Sequence, residues 1–98
     1  MRPKKTRWIK CSPLERIFKP QTKLNNPGSV ILTLDEFEAV RLLDYEGLSQ
    51  IAVAKQMHVH RSTVSRIISS ARKKIARALV EINTLKIEGG CCKVIKGR

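Results

Sequence analysis

Arg61, Ser62, Thr63, Ser65 and Arg66 place five hydrogen-bonding side chains within six residues. A guanidinium group can offer two donors to a guanine edge, and hydroxyls can meet bases or phosphates. The run continues with Ser69, Ser70, Lys73 and Arg77, and no acid interrupts this face. Such a set recognises a polyanion; it does not make or break bonds. A solvated helix surface has a similar composition, so the elements that hold these residues decide between the two.

Those elements are readable from apolar spacing. Val64, Ile67, Ile68, Ala71, Ile75, Ala78, Leu79 and Ile82 recur at steps of three, four and one, which keeps a single stripe of an α-helix apolar. The spacing predicts a helix from about Arg61 to Ile82, roughly 33 Å long. A shorter helix is predicted from Gln50 to Met57, capped by Ser49, with a tight turn at His58–His60. Ala54 is small enough for two helices to cross closely. Val53, Met57, Val59, Val64 and Ile67 can lock the crossing. The expectation is a helix-turn-helix over residues 49–82 whose second helix enters a DNA major groove. Arg61, Ser62, Thr63, Ser65 and Arg66 would read bases. Arg72, Lys73 and Arg77 would hold phosphates, together with Arg2, Lys4, Lys5 and Arg7 from the basic N-terminus.

Charge is distributed in keeping with that reading. The 98 residues carry 20 Lys and Arg against 8 Asp and Glu, a formal charge of +12. Residues 1–23 contribute +7, residues 24–60 contribute −3 and residues 61–98 contribute +8. An acidic scaffold thus lies between two basic flanks, and such a surplus calls for an anionic partner. No apolar run approaches the roughly 20 residues that span a bilayer, and no apolar segment follows the basic N-terminus as in a secretory signal. Three cysteines without a repeated spacing suit a reduced compartment. The expected location is the cytoplasm, on the nucleoid.

The rest of the chain frames the helices. Residues 1–29 are read as a basic arm and a Pro-rich segment, with Pro13, Pro20 and Pro27 favouring extended or turning backbone. Trp8 and Ile9 suggest that part of the arm docks or forms a short strand, and Phe18 is a candidate core anchor. Val30-Ile31-Leu32 is either a brief strand or the lead-in to a helix. Thr33-Leu34-Asp35-Glu36 has the form of a capping box. The helix it opens would bury Phe37, Val40, Leu42 and Leu43 and end at Gly47. Asp35, Glu36 and Glu38 are read as first-turn acids that favour the helix dipole, without a pocket or nucleophile for acid–base chemistry. The late turns of the long helix, with Ile75, Leu79 and Ile82, are available to pack on the first helix, on the N-terminal segment or on a second subunit. Residues 84–98 are a tail or a short hairpin turning at Gly89-Gly90.

Cys11, Cys91, Cys92, His58 and His60 are the candidate soft ligands. None forms a Cys-x-x-Cys pair, and adjacent Cys91 and Cys92 do not readily share one tetrahedral zinc. No Cys–His pair comes with a third orienting group. The expectation is therefore no metal, no cofactor and no enzymatic activity.

The chain also resembles a known family. Thr33-Leu34-Asp35-Glu36-Phe37-Glu38-Ala39-Val40-Arg41-Leu42-Leu43-Asp44, the Glu46-Gly47-Leu48 step, and Ala71-Arg72 with Lys74-Ile75-Ala76 and Ala78-Leu79-Val80 are similar to a small prokaryotic family of predicted DNA-binding proteins, the domain of unknown function one hundred and thirty-four. The second half separately resembles the helix-turn-helix of sigma-factor region four. The resemblance implies a tri-helical or winged-helix-like DNA-binding domain acting in transcription. In that pattern Gly is usual where His58 stands and Ser where His60 stands. His60 is the poorer cap, so a start for the second helix shifted toward Ser62 is one option.

These readings combine into one expectation. The fold would be all-α, a single domain with its helical core at 33–82. The function would be sequence-specific binding of double-stranded DNA by a homodimer, with no membrane or small-molecule partner. The alternative is an RNA-binding protein or a polymerase-associated adaptor using the same basic surface. Against RNA, none of the four Phe, Tyr and Trp residues lies on the second helix to stack on unpaired bases.

Overall fold

The computed structural model describes residues 7–9, 16–23, 26–89 and 92–94. Three α-helices are its principal elements: α1 (Leu34–Val40), α2 (Gln50–Met57) and α3 (Arg61–Glu81). Five short strands accompany them: β1 (Arg7–Ile9), β2 (Arg16–Phe18), β3 (Ser29–Leu32), β4 (Thr84–Ile87) and β5 (Cys92–Val94).

Local chemistry accounts for the helix ends. At α1, the Glu36 carboxylate reaches back to accept the Thr33 amide at 3.0 Å, and the Thr33 hydroxyl donates to Asp35. The capping box is therefore present as its sequence requires. Beyond Val40 the helix widens into a π-helical turn at Arg41–Tyr45, with the Glu46 amide bonded to the Arg41 carbonyl at 2.8 Å. Gly47 then adopts φ +79°, a left-handed geometry that stops the helix. Ser49 caps α2 by accepting the Ala52 amide at 3.1 Å. His58 closes α2 at φ +56°, a conformation that a non-glycine residue seldom adopts.

Two apolar clusters meet along α3. The first joins Ala39 and Leu42 to Val53, Ala54, Met57, Val64, Ile67 and Ile68, and so fixes α1, α2 and the first half of α3. The second sets Leu32 and Ile87 of the sheet against Ala71, with Phe37, Val40 and Ile75 around them. Ala54 is buried where α2 meets α3, as its size allows.

The strands correct the all-α expectation. β4 is the centre of a three-stranded sheet in the order β2-β4-β3, antiparallel to β2 and parallel to β3. β1 and β5 pair in parallel as a second, two-stranded sheet. β4 and β5 therefore form no hairpin with each other. Both hydrogen-bonding edges of β4 are already taken, and Gly89 turns the chain so that its carbonyl accepts the Leu34 amide at 2.9 Å. The N-terminal segment is likewise no irregular arm throughout, since β1 and β2 lie within it. Parallel pairing needs a long crossover, and local alternation does not reveal it.

The apolar stripe of α3 holds only as far as Ala78. Leu79 is 76% exposed and Ile82 42% exposed. Nothing described stands over the last turn of α3 to cover them. Phe18, the proposed anchor, is also exposed. Met57→Ala should therefore lower the unfolding free energy by about 2–5 kcal/mol in urea denaturation. Leu79→Ala should change it by less than about 0.5 kcal/mol when measured at high dilution, where folded chains do not associate.

Candidate nucleic-acid interface

α3 begins at Arg61, without a shift toward Ser62. The amides of Thr63 and Val64 bond to the His60 carbonyl at 2.9 and 3.1 Å, while the His60 side chain makes no capping bond. The backbone alone thus fixes the helix start. The turn before it is braced from outside, because the Trp8 ring stacks on His58 with centroids 3.4 Å apart and planes inclined by 23°. That contact ties β1 to the α2–α3 turn.

Arg61, Ser62, Ser65 and Arg66 are exposed, and Thr63 is half-buried. At about 100° per residue, Ser62, Ser65, Arg66, Ser69, Lys73 and Arg77 share an arc of about 120°. Arg61 lies about 40° beyond one edge of the arc and Thr63 about 40° beyond the other. All residues of the arc are exposed, and none is acidic. Ser69, which the sequence puts on the same acid-free face without giving it a base-reading or phosphate-binding role, belongs to this arc. Lys55 is another addition. It stands exposed on α2 beside His60 and Arg61, where a shallow groove of about 290 Å³ runs between the two helices.

The polar residues that border the arc are already engaged: Ser70 and Lys74 lie about 20° and 60° beyond its Arg77 edge, and Arg72 about 20° beyond its Ser65 edge. Glu36 is buried at the start of α1 and accepts Lys74 Nζ at 2.8 Å and the Ser70 hydroxyl at 2.6 Å. Burial alone would raise the pKa of Glu36, but the hydrogen bonds from Lys74, Ser70 and the Thr33 amide outweigh it and hold the carboxyl below its ordinary value. Asp44 binds Arg72 through two contacts, at 2.6 and 3.2 Å. The Arg72 hydrogen bond depresses Asp44, and Asp44 in turn raises Arg72.

The basic residues expected to hold phosphates therefore divide. Lys73 and Arg77 are exposed, and no ion pair holds either among the described residues. Arg72 already has a carboxylate, which competes with any phosphate. Arg7 leaves the set altogether. Its side chain is turned inward, with Nε 3.5 Å from Asp35 Oδ2 and without a hydrogen bond. Asp35 is buried at the start of α1, so Arg7 belongs to the packing of β1. Arg2, Lys4 and Lys5 lie outside the described residues.

The described residues contain no group of three or more His, Cys, Asp or Glu able to hold a metal ion. Cys11 and Cys91 fall outside that set. Among the described residues, no helix is long and apolar enough to cross a membrane.

With this geometry in hand, comparison places the chain. The model of a family described as proteins of unknown function, DUF134, matches residues 1–95. The chain belongs to that family. A UPF0251 protein of Caldanaerobacter subterraneus subsp. tengcongensis is 49% identical over 94 residues, which are 95% of this chain and 80% of the relative. A UPF0251 protein of Thermoanaerobacter pseudethanolicus is 46% identical over 94 residues, with the same coverage of each chain. One of Syntrophobacter fumaroxidans is 51% identical over 90 residues, covering 91% of this chain and 58% of the relative. No solved structure matches the chain.

The buried Glu36 generates a pH prediction. A carboxyl held below its ordinary value stabilises the fold fully above that value, 4.5, and the contribution is lost as pH falls through the folded value. The thermal midpoint should therefore drop on acidification below about pH 4.5. Glu36→Gln should lower the midpoint at neutral pH and flatten its fall in acid, as followed by circular dichroism. An acid limb of unchanged steepness would remove Glu36 as its source.

Proposed function

We propose that α2, the turn at His58–His60 and α3 act as a helix-turn-helix that binds double-stranded DNA in a sequence-specific manner, in the service of transcription. The observation that carries this reading is the exposed, acid-free arc Ser62, Ser65, Arg66, Ser69, Lys73 and Arg77, bordered by Ser70 and Lys74, which Glu36 already holds. A helix about 10–12 Å across matches a major groove about 12 Å wide. Arg61, Ser62, Thr63, Ser65 and Arg66 read base edges from the first turns. Lys73 and Arg77 meet phosphates farther along, and Arg2, Lys4 and Lys5 add backbone contacts from the N-terminus. Duplex is favoured over single-stranded partners because Trp8, Phe18, Phe37 and Tyr45 all lie off the arc, which leaves no ring to stack a base.

Selection from random duplexes, followed by affinity measurements at several salt concentrations, tests this reading. An enriched sequence is expected. Arg66→Ala should cost about 1–3 kcal/mol of discrimination at one position of that sequence. Lys73→Ala should weaken all sequences alike and reduce the salt slope by about one. Absence of enrichment, or tighter binding to structured RNA in competition, would overturn the proposal.

A further inference from the structure

The C-terminal end of α3 exposes what its earlier turns bury. Leu79 and Ile82 stand in water beside the exposed Phe18 of β2, and between them runs a groove of about 380 Å³ floored by Ile75 and Leu85. Lone exposed apolar residues are ordinary, but several around one concavity mark a contact surface. We infer that this groove receives a second copy of the chain across a two-fold axis.

Charge selects that occupant. A chain of +12 repels its own copy everywhere except on a face without net charge. The groove is such a face. Lys19 is the one charged residue in its lining. Glu81 stands next to it, held by Asn83, whose side-chain amide donates to Glu81 Oε1 at 3.2 Å while Asn83 lines the groove. Glu81 is the only acid in α3. Neither Lys19 nor Glu81 has an ion-pair partner among the described residues. One cation and one anion flanking an apolar floor are self-complementary. In a two-fold contact, Lys19 of each copy faces Glu81 of the other while Leu79, Ile82 and Phe18 pack between them. A purely acidic partner would instead find Glu81 opposed to it.

Helix length agrees, and this second argument alone rests on the duplex reading proposed above. Leu79 lies about 23 Å along α3 from the middle of Arg61–Arg66. Two copies crossing at Leu79 can separate their reading segments by up to about 46 Å. A steep crossing brings them to the 34–36 Å of one DNA turn.

Sedimentation of the full chain over a dilution series, without nucleic acid, tests the inference. Wild type should sediment as a concentration-dependent dimer. Leu79→Glu should weaken association at least about tenfold and keep its helical circular dichroism, since Leu79 is already in water. Lys19→Glu and Glu81→Lys should each weaken it, and the doubly exchanged variant should restore it. A monomer at all concentrations, a dimer indifferent to Leu79→Glu, or a double exchange that restores nothing would overturn the inference. Because no DNA is present, such a failure is distinct from failure of the duplex reading, which site selection decides.

Discussion

The arrangement depends on one buried carboxylate. Glu36 lies where α1 begins, and four groups converge on it: the Thr33 amide, the Ser70 hydroxyl, the Lys74 ammonium and the dipole of the helix it opens. It therefore does two things at once. It caps α1, and it ties Ser70 and Lys74 of α3 to the start of that helix. The contact fixes the rotation of α3 at one border of the arc, while the buried stripe Val64, Ile67, Ile68, Ala71 and Ala78 leaves the arc from Ser65 to Arg77 facing water. A buried charge is tolerated only with good partners, and here the partners come from an element more than thirty residues away. The polar contact thus adds orientation to what the aliphatic stripe supplies in burial.

The α2–α3 turn shows a related division of labour. A glycine would adopt the left-handed conformation at position 58 with little strain. Histidine pays more for that backbone, but its ring gives Trp8 a surface to stack on. The turn is consequently attached to β1, and Ile9 of the same strand is fully buried. Through β1 the parallel pairing with β5 connects the two flanks of the helical core to the start of α3. Histidine at this place exchanges an easy local geometry for a long-range contact.

Sequence periodicity revealed those parts of the fold that are held locally. The bounds of α2, the caps at Thr33 and Ser49, the stop at Gly47 and the close crossing at Ala54 each depend on residues within one or two turns. Short extended segments at Trp8-Ile9, at Val30-Ile31-Leu32 and after Thr84 were readable, but their pairing was hidden because each strand is three or four residues long and its partner is distant. β4 joins β2 and β3 across more than fifty residues, a connection that no local pattern reveals. The candidate interface was visible in its residue types, yet its membership was not. Arg7 and Arg72 look like Lys73 and Arg77 in a list of cations. Only tertiary structure shows that Asp35 and Asp44 have taken them. Asp35, Glu36 and Asp44 were readable as acids of a helical segment, but nothing in their spacing named the bases they would meet.

The length of α3 then acquires a physical reason. Its first three turns pack on α1 and α2 and leave an acid-free arc outward. Its middle turns rest on the sheet through Ala71 and Ile75. Its last turn leaves the core while remaining apolar on the groove side, with Leu79, and Ile82 just beyond it, in water. A helix serving only the fold would end near Ala78, where burial ends. A helix serving only a groove would end sooner, since its first turns carry the hydroxyls and both leading arginines. The extra turn costs exposed apolar surface and gains nothing within one chain. That imbalance is what a contact outside the chain would offset, and it places the contact at the end of α3 farthest from Arg61, where a second molecule can approach without covering the basic arc.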